Sequence, residues 1–184
     1  DREIARHADF LSAADAQEHR PVKIPRIGLL NDQSVALASR RLGPFYEGLR
    51  DLGQLAVGIA DVFNTQHRQG MDLNGNLGTD FFSTTTPLTS ASTTNTGSAV
   101  VTAVIADASG LAGRDYELRF NGAAWSVFDR STSAAVPASG SGTAASPLVF
   151  EGLSVSATAG AAAGDRYLIR PVANAAVDFR VALD

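Results

Sequence analysis

The chain has 184 residues, of which 45% are hydrophobic and 18% are charged, and its formal net charge is −4. This hydrophobic content excludes wholesale disorder and allows one or two compact domains with buried cores. The small negative charge argues against a nucleic-acid-binding protein, and the absence of cysteine excludes disulfides, thiolate metal sites and a cysteine nucleophile.

The first 45 residues show only a weak periodic pattern of apolar residues. Residues 2–19 predict a helix with few apolar positions, which Pro21 and Pro25 bring to an end. Residues 22–30 are expected to be extended, and a short helix is expected to follow through Leu42.

A long amphipathic helix is predicted from Phe45 to Gln69, with Pro44 in its first turn and Gly70 as its C-terminal cap. Its apolar residues recur in alternating steps of four and three, at Phe45, Leu49, Leu52, Ala56, Ile59 and Phe63, and Leu55 and Val62 widen this stripe. We expect Leu49, Leu52, Ile59 and Phe63 to be buried against other helices. The polar residues off the stripe are expected to face water: Glu47, Arg50, Asp51, Gln54, Asp61, Asn64 and Arg68.

The segment after this helix, Asp72 to Asn76, allows two interpretations. Its alternating oxygen side chains resemble a calcium loop, but Leu77 and Ser83 stand where an EF-hand loop needs glycine and glutamate. The favoured interpretation is a tight turn in which Asp72 accepts hydrogen bonds from nearby backbone amides.

Residues 83–98 are rich in serine and threonine and almost uncharged, which is typical of a linker. From residue 99 the apolar residues alternate with period two, as in strands with one buried face. Asn121-Gly122 and Glu151-Gly152 predict tight hairpin turns, and Trp125 is interpreted as a core or cross-strand anchor. A last strand is expected through Val177, Phe179 and Val181.

The predicted fold is therefore α+β in segregated halves. Residues 1–82 are predicted to form an α-helical part, residues 83–98 a linker, and residues 99–184 an antiparallel β-sandwich or small barrel.

No catalytic, cofactor or metal site is expected. The three histidines, His7, His19 and His67, lie in no recognisable nucleophile or metal motif. His67 is interpreted as a helix-end residue that contacts the following turn. The glycines form no phosphate-binding loop, and neither a membrane-spanning run nor a cleavable signal peptide is evident.

Three stretches of the chain resemble one family. The stretch from Val62 to Phe82, VFNTQHRQGMDLNGNLGTDFF, is similar to a motif of the bacterial flagellar hook-associated proteins that form the first hook-filament junction zone. The matching residues are Phe63, Asn64, Gln66, His67, Gly70, Asp72, Leu73, Gly75, Gly78, Phe81 and Phe82. The stretches from Asp115 to Val127 and from Phe150 to Ala176 also look like this family, whereas residues 1–45 show no family pattern.

The resemblance implies a structural component of the flagellum, not an enzyme. Its motif closes a long helix of a rod-like α-domain and leads into a projecting β-domain. It further implies a homo-oligomeric ring that contacts the hook protein and the second junction protein or flagellin, extracellular location, and type III export without a cleaved signal. Neither nucleic acid nor a membrane is an implied partner, and the chain is expected to be part of a longer protein.

The alternative is an extracellular β-sandwich that binds ligands, such as an adhesin or carbohydrate-binding domain. Trp125 and the Ser/Thr/Gly-rich loops would be its evidence. Such a face would expose several aromatic residues together, so burial of Trp125, Tyr116 and Tyr167 in the sheet would argue against it.

Overall fold

The computed structural model of the chain describes residues 32–182. The chain divides into two units, Asp1–Arg40 and Arg41–Asp184, and the second carries the fold described below apart from the first nine residues of its helix. The helix predicted over residues 2–19 and the extended segment over 22–30 lie outside the described residues.

Helix α1 spans Asp32–Arg68, and Pro44 lies inside it. The predictions that the long helix begins at Phe45, with Pro44 in its first turn, and that a separate short helix runs through Leu42 are therefore wrong. Proline removes one backbone hydrogen bond from a helix interior, but the residues before it, SVALASRRL, are mostly good helix formers that favour continuation. The predicted C-terminal end, with Gly70 just beyond the last turn, agrees with the structure.

Eight strands follow the helix. They are β1 (Leu88–Ala91), β2 (Val101–Ile105), β3 (Tyr116–Phe120), β4 (Trp125–Asp129), β5 (Ala135–Val136), β6 (Leu148–Phe150), β7 (Leu153–Ala157) and β8 (Arg166–Arg170). A five-stranded sheet has the order β1-β8-β3-β4-β5, and a three-stranded sheet has the order β2-β7-β6. All the pairings are antiparallel.

The two sheets share one hydrophobic core. Every second residue of the central strands is buried, as period-two patterning predicts, and residues from both sheets belong to the same cluster. Tyr116 of β3 meets Phe150 of β6 edge to face across this core, with ring centroids 5.1 Å apart. The predicted α+β fold class is confirmed, and the β-part is a sandwich of two open sheets.

The two predicted hairpins have different turns. Phe150 pairs with Leu153, so the turn has two residues, and Glu151 and Gly152 both have positive φ, as a primed turn requires. At the other hairpin Phe120 pairs with Trp125, which leaves a four-residue loop instead of the expected tight turn. The Asn121 side chain accepts hydrogen bonds from the amides of Ala123 and Ala124 and so stabilises the longer loop.

The segment 83–98 is not a simple linker. It contains β1, whose residues pair with β8 along their whole length, from Leu88 opposite Arg170 to Ala91 opposite Tyr167. Thr89 also donates a hydrogen bond to the Val101 carbonyl. The threonines that suggested a linker are β-branched residues, and such residues favour strands when a sheet edge is available.

The prediction of a last strand through Val177, Phe179 and Val181 is also wrong. A short helix, α2 (Ala175–Asp178), stands in its place, because the amides of Val177 and Asp178 both bond back to the Asn174 carbonyl. Only Val181 retains strand-like pairing, as an isolated bridge to Phe82.

Polar side chains tie the two sheets together at one end. The Tyr116 hydroxyl donates to Glu151 in the β6–β7 turn. Arg114 bridges Glu151 and Asp129, at 3.2 and 3.1 Å. The Ser131 hydroxyl and nearby amides hold the pKa of Asp129 well below its usual range. This network satisfies charged groups that would otherwise be costly to bury.

Asp165 fixes the approach to β8. Its side chain is buried and accepts hydrogen bonds from the amides of Ala162, Thr96 and Gly97, at 2.9, 3.0 and 3.3 Å. The Ala162 amide is the largest of the influences that lower the pKa of Asp165, and those of Thr96 and Gly97 add to it.

We expect Asp165 to make unfolding sensitive to acid. The pKa of Asp165 is lower in the folded protein than in the unfolded chain. Its contribution to the free energy of unfolding is therefore fully present above the unfolded pKa of about 4, and it is lost as pH falls through the folded pKa. The Asp165→Asn variant should lose this part of the acid dependence. Urea denaturation of both proteins between pH 7 and pH 2 measures it; parallel stability curves would contradict the assignment.

Candidate functional site

Helix α1 contacts the β-part through its small residues. Gly53, Ala56 and Ala60 lie on one face, and the two alanines are buried. A Cβ atom added at Gly53 would stand 2.7 Å from the Val172 carbonyl oxygen, which shows how closely the backbones approach. Beside it, the Gln54 amide donates to the Leu111 carbonyl at 2.5 Å. The helix is therefore joined to the sandwich along its side as well as through the chain.

From Phe45 onward, the large apolar residues of α1 other than Val57, which packs against the core, lie away from this contact. We call the following set the apolar stripe: Phe45, Tyr46, Leu49, Leu52, Leu55, Ile59, Val62 and Phe63, all of them exposed. Leu52, Leu55 and Val62 are 51%, 58% and 67% exposed. The predicted burial of Leu49, Leu52, Ile59 and Phe63 is therefore absent within the described residues. A row of large exposed apolar side chains on one helix is typical of a protein-protein contact.

Asn64 closes the end of the helix. Its Oδ1 accepts hydrogen bonds from the amides of Phe81 and Phe82, at 2.9 and 2.8 Å, and its Nδ2 donates to the Phe82 carbonyl at 2.9 Å. The side chain is only 1% exposed, so the expectation that it faces water is wrong. Three bonds from one amide group fold the post-helix segment back onto α1.

The two ends of the β-part meet at this point. The Ser83 amide donates to the Arg180 carbonyl at 2.9 Å, and the Ala182 amide donates to the Phe81 carbonyl at 2.8 Å. The Phe82 ring stacks on Phe179, with centroids 4.6 Å apart. We call Asn64 with the paired segments 81–83 and 179–182 the helix-end clamp. The segments that precede and follow the sandwich therefore lie side by side in the helix-end clamp.

The polar turn after α1 is held by its own hydrogen bonds. Asp72 Oδ1 accepts from the amides of Asn74 and Asn76, both at 2.8 Å, and Gly75 has φ +85°. The Asn76 side-chain amide donates to Asp72 Oδ2 at 3.0 Å, and this bond, followed by that of the Asn76 backbone amide, lowers the pKa of the Asp72 carboxyl. The predicted turn is confirmed, and so is the helix-end role of His67, whose Nδ1 lies 2.5 Å from the Thr79 carbonyl oxygen.

The described residues bring together no catalytic constellation. In residues 32–182, no three histidine, aspartate or glutamate side chains are placed to hold a metal ion. A cavity of about 290 Å³ between α1 and the sandwich is lined largely by small and hydroxyl-bearing residues. No helix in this part of the chain combines the length and the apolar character needed to span a bilayer. His7 and His19 lie outside the described residues.

The aromatic residues of the β-part form no exposed platform. Tyr116 and Tyr167 are buried, and Trp125 packs against Tyr167 and Phe120, with ring centroids 5.7 and 4.7 Å apart. Trp125 is thus the anchor that its hairpin position predicted. Tyr116 and Tyr167 therefore meet the condition that argues against the sugar-binding alternative, and Trp125, which is partly buried, meets it in part.

Comparison with known proteins agrees with both halves of the fold. Residues 35–82 match the model of the flagellar hook-associated protein FlgK helical domain, and residues 90–171 match that of the flagellar hook-associated protein 1 D2-like domain. The chain is 37% identical over 131 residues to flagellar hook-associated protein 1 of Salmonella typhimurium and 36% identical over 132 residues to that of Escherichia coli. These alignments cover 71% of this chain and 23% of each relative.

A solved structure gives the same result. The flagellar hook junction protein FlgK from Burkholderia pseudomallei superposes with a TM-score of 0.67 at 30% identity, covering 73% of this chain and 24% of that one. The chain thus spans about a quarter of the length of the relatives that it matches. Since two models of one family together cover its helix and its sandwich, the chain belongs to the flagellar hook-associated protein 1 family.

Proposed function

We propose that the chain is part of a structural adaptor at the hook-filament junction of the bacterial flagellum and catalyses no reaction. The apolar stripe on α1 is the observation that carries this proposal. It lies within the segment that matches the family's helical domain, and it is exposed along a helix whose other face is occupied by the sandwich. A surface of that kind stabilises an assembly when another helix covers it.

The expected partners follow from the family. The longer protein would form a ring, with the hook protein on one side and the second junction protein or flagellin on the other. In a ring, each small contact is repeated around the axis, so modest interfaces can sum to a stable structure. Extracellular location and type III export are part of the same proposal.

Polar substitutions in the apolar stripe test the proposal. We expect Leu55→Ser with Val62→Ser to leave the unfolding free energy of the 184-residue chain within about 1 kcal/mol of its original value, because both side chains are exposed. The same pair should prevent filament attachment when the longer protein that carries it is produced in cells from which the unaltered protein has been deleted. Electron microscopy and the amount of flagellin released into the medium measure this effect.

The matched control is Val100→Ser with Val149→Ser, two exposed positions on the β-part. These variants should support normal filaments. Cells that swim normally with the stripe variants, or that lose filaments only with the control, would contradict the proposed role of the stripe.

A further inference from the structure

The outer face of the five-stranded sheet carries a concentration of arginine. Arg119 of β3 lies directly opposite Arg166 of β8 in the register, and their side chains are 36% and 57% exposed. Like charges placed opposite one another on a sheet are destabilising. A sheet face with only a structural role would therefore be more stable without two arginines opposite each other.

One carboxylate serves both of these arginines. Glu117 Oε1 accepts from Arg119 Nε at 2.8 Å and lies 3.3 Å from Arg166 Nη1. The Arg119 guanidinium also stacks over the Phe128 ring, 4.2 Å from its centroid. Glu117 thus holds the two arginines in place but neutralises only one of their charges.

Asp115, just before β3, pairs with a third arginine at the other end of the same face. Its carboxylate lies 3.6 Å from Arg170 Nε, and the charges of Arg170, Arg50 and Arg130 all act on it. Burial raises the pKa of Asp115, and the three arginines act in the opposite direction. The ion pairs of this face therefore join three guanidinium groups, those of Arg119, Arg166 and Arg170, to two carboxylates, which leaves one positive charge in excess in a chain whose net charge is −4.

We infer that this arginine face binds a carboxylate-bearing protein surface. Arginine presents a planar fork of donors that matches carboxylates, and the excess positive charge of this face is complementary to an acidic partner. Leu168, opposite Glu117, and Leu88, opposite Arg170, place apolar groups between the charges. A mixture of arginine, aromatic and aliphatic groups is characteristic of protein interfaces. The inference does not depend on the proposed junction role, since it concerns the sheet and not the apolar stripe.

Nuclear magnetic resonance titration of the 184-residue chain tests this inference. The probe is a ten-residue peptide of alternating glutamate and leucine, compared with a peptide of alternating glutamate and serine and with a pentagalacturonate that carries the same five carboxylates. We expect saturable shifts confined to β3 and β8, with a Kd below about 1 mM at low salt for the Glu-Leu peptide. Binding should weaken steeply at 0.5 M salt, where charges are screened.

Variants establish which residues are responsible. Arg166→Glu should weaken binding by at least about tenfold, and Arg119→Gln with Arg166→Gln should do so without introducing negative charge. Arg180→Glu is the matched control, because Arg180 is exposed elsewhere and its substitution changes the net charge equally. The inference is overturned if no shifts appear at 5 mM peptide, if pentagalacturonate binds as tightly as the Glu-Leu peptide, or if Arg166→Glu and Arg180→Glu behave alike.

Discussion

Replacing Asn64 with leucine should destabilise the folded chain by about 3–5 kcal/mol, among the largest effects of any single substitution. Leucine matches asparagine closely in shape but can neither donate nor accept. The amides of Phe81 and Phe82 and the Phe82 carbonyl would then lose their partner in a site that is almost wholly buried. A buried backbone group without a partner costs about 1–3 kcal/mol.

Asn64→Asp should have a stability between those of the unchanged chain and of Asn64→Leu. The carboxylate keeps both acceptor contacts but faces the Phe82 carbonyl with an acceptor instead of a donor. Asn74→Leu, on the exposed polar turn nearby, is the control and should change stability by less than about 0.5 kcal/mol. Urea denaturation measures all three, and equal midpoints for Asn64→Leu and Asn74→Leu would show that the helix-end clamp does not stabilise the fold.

The second large effect is expected at Gly53. Alanine normally stabilises a helix relative to glycine by up to about 1 kcal/mol. At Gly53 the added methyl group would meet the Val172 carbonyl oxygen at 2.7 Å and its Cβ atom at 3.1 Å. Overpacking of this kind costs about 1–3 kcal/mol, so Gly53→Ala should be net destabilising.

Gly58 provides the matched control in the same helix. A Cβ atom there meets nothing within 4 Å, so Gly58→Ala should raise stability by the usual propensity difference. Opposite signs for the two substitutions, measured by thermal or urea denaturation, are the expected result. If both stabilise, the close contact between α1 and the sandwich does not persist in solution.

The sequence predicted the elements that depend on local patterns. Period-two alternation gave the strands around Leu118 and Val155, and the Glu151-Gly152 dipeptide gave its two-residue turn. The α+β fold class followed because helix and strand patterns occupy different parts of the chain.

The errors arise where tertiary contacts outweigh the local pattern. The strongest apolar periodicity of α1 was read as its buried face, yet the sandwich packs on the small residues Gly53, Ala56 and Ala60 instead. Small side chains contribute little to the apolar periodicity of a sequence, but they allow the backbones of two elements to approach closely. Asn64 was assigned to water because the three backbone groups that satisfy it come from residues 17 and 18 positions later in the chain. Only its place in the family motif pointed to its importance.

The most direct test of the proposed function is the accessibility of the apolar stripe in assembled flagella. The described chain contains no cysteine, so a single Leu55→Cys can be labelled selectively with a maleimide in a cysteine-free version of the longer protein. We predict rapid labelling in the 184-residue chain, where Leu55 is 58% exposed, and protection by more than about tenfold in isolated hook-filament junctions. Val100→Cys is the control that should label in both. Equal labelling of Leu55→Cys in the chain and in the junction would contradict the assignment of the stripe as an assembly surface.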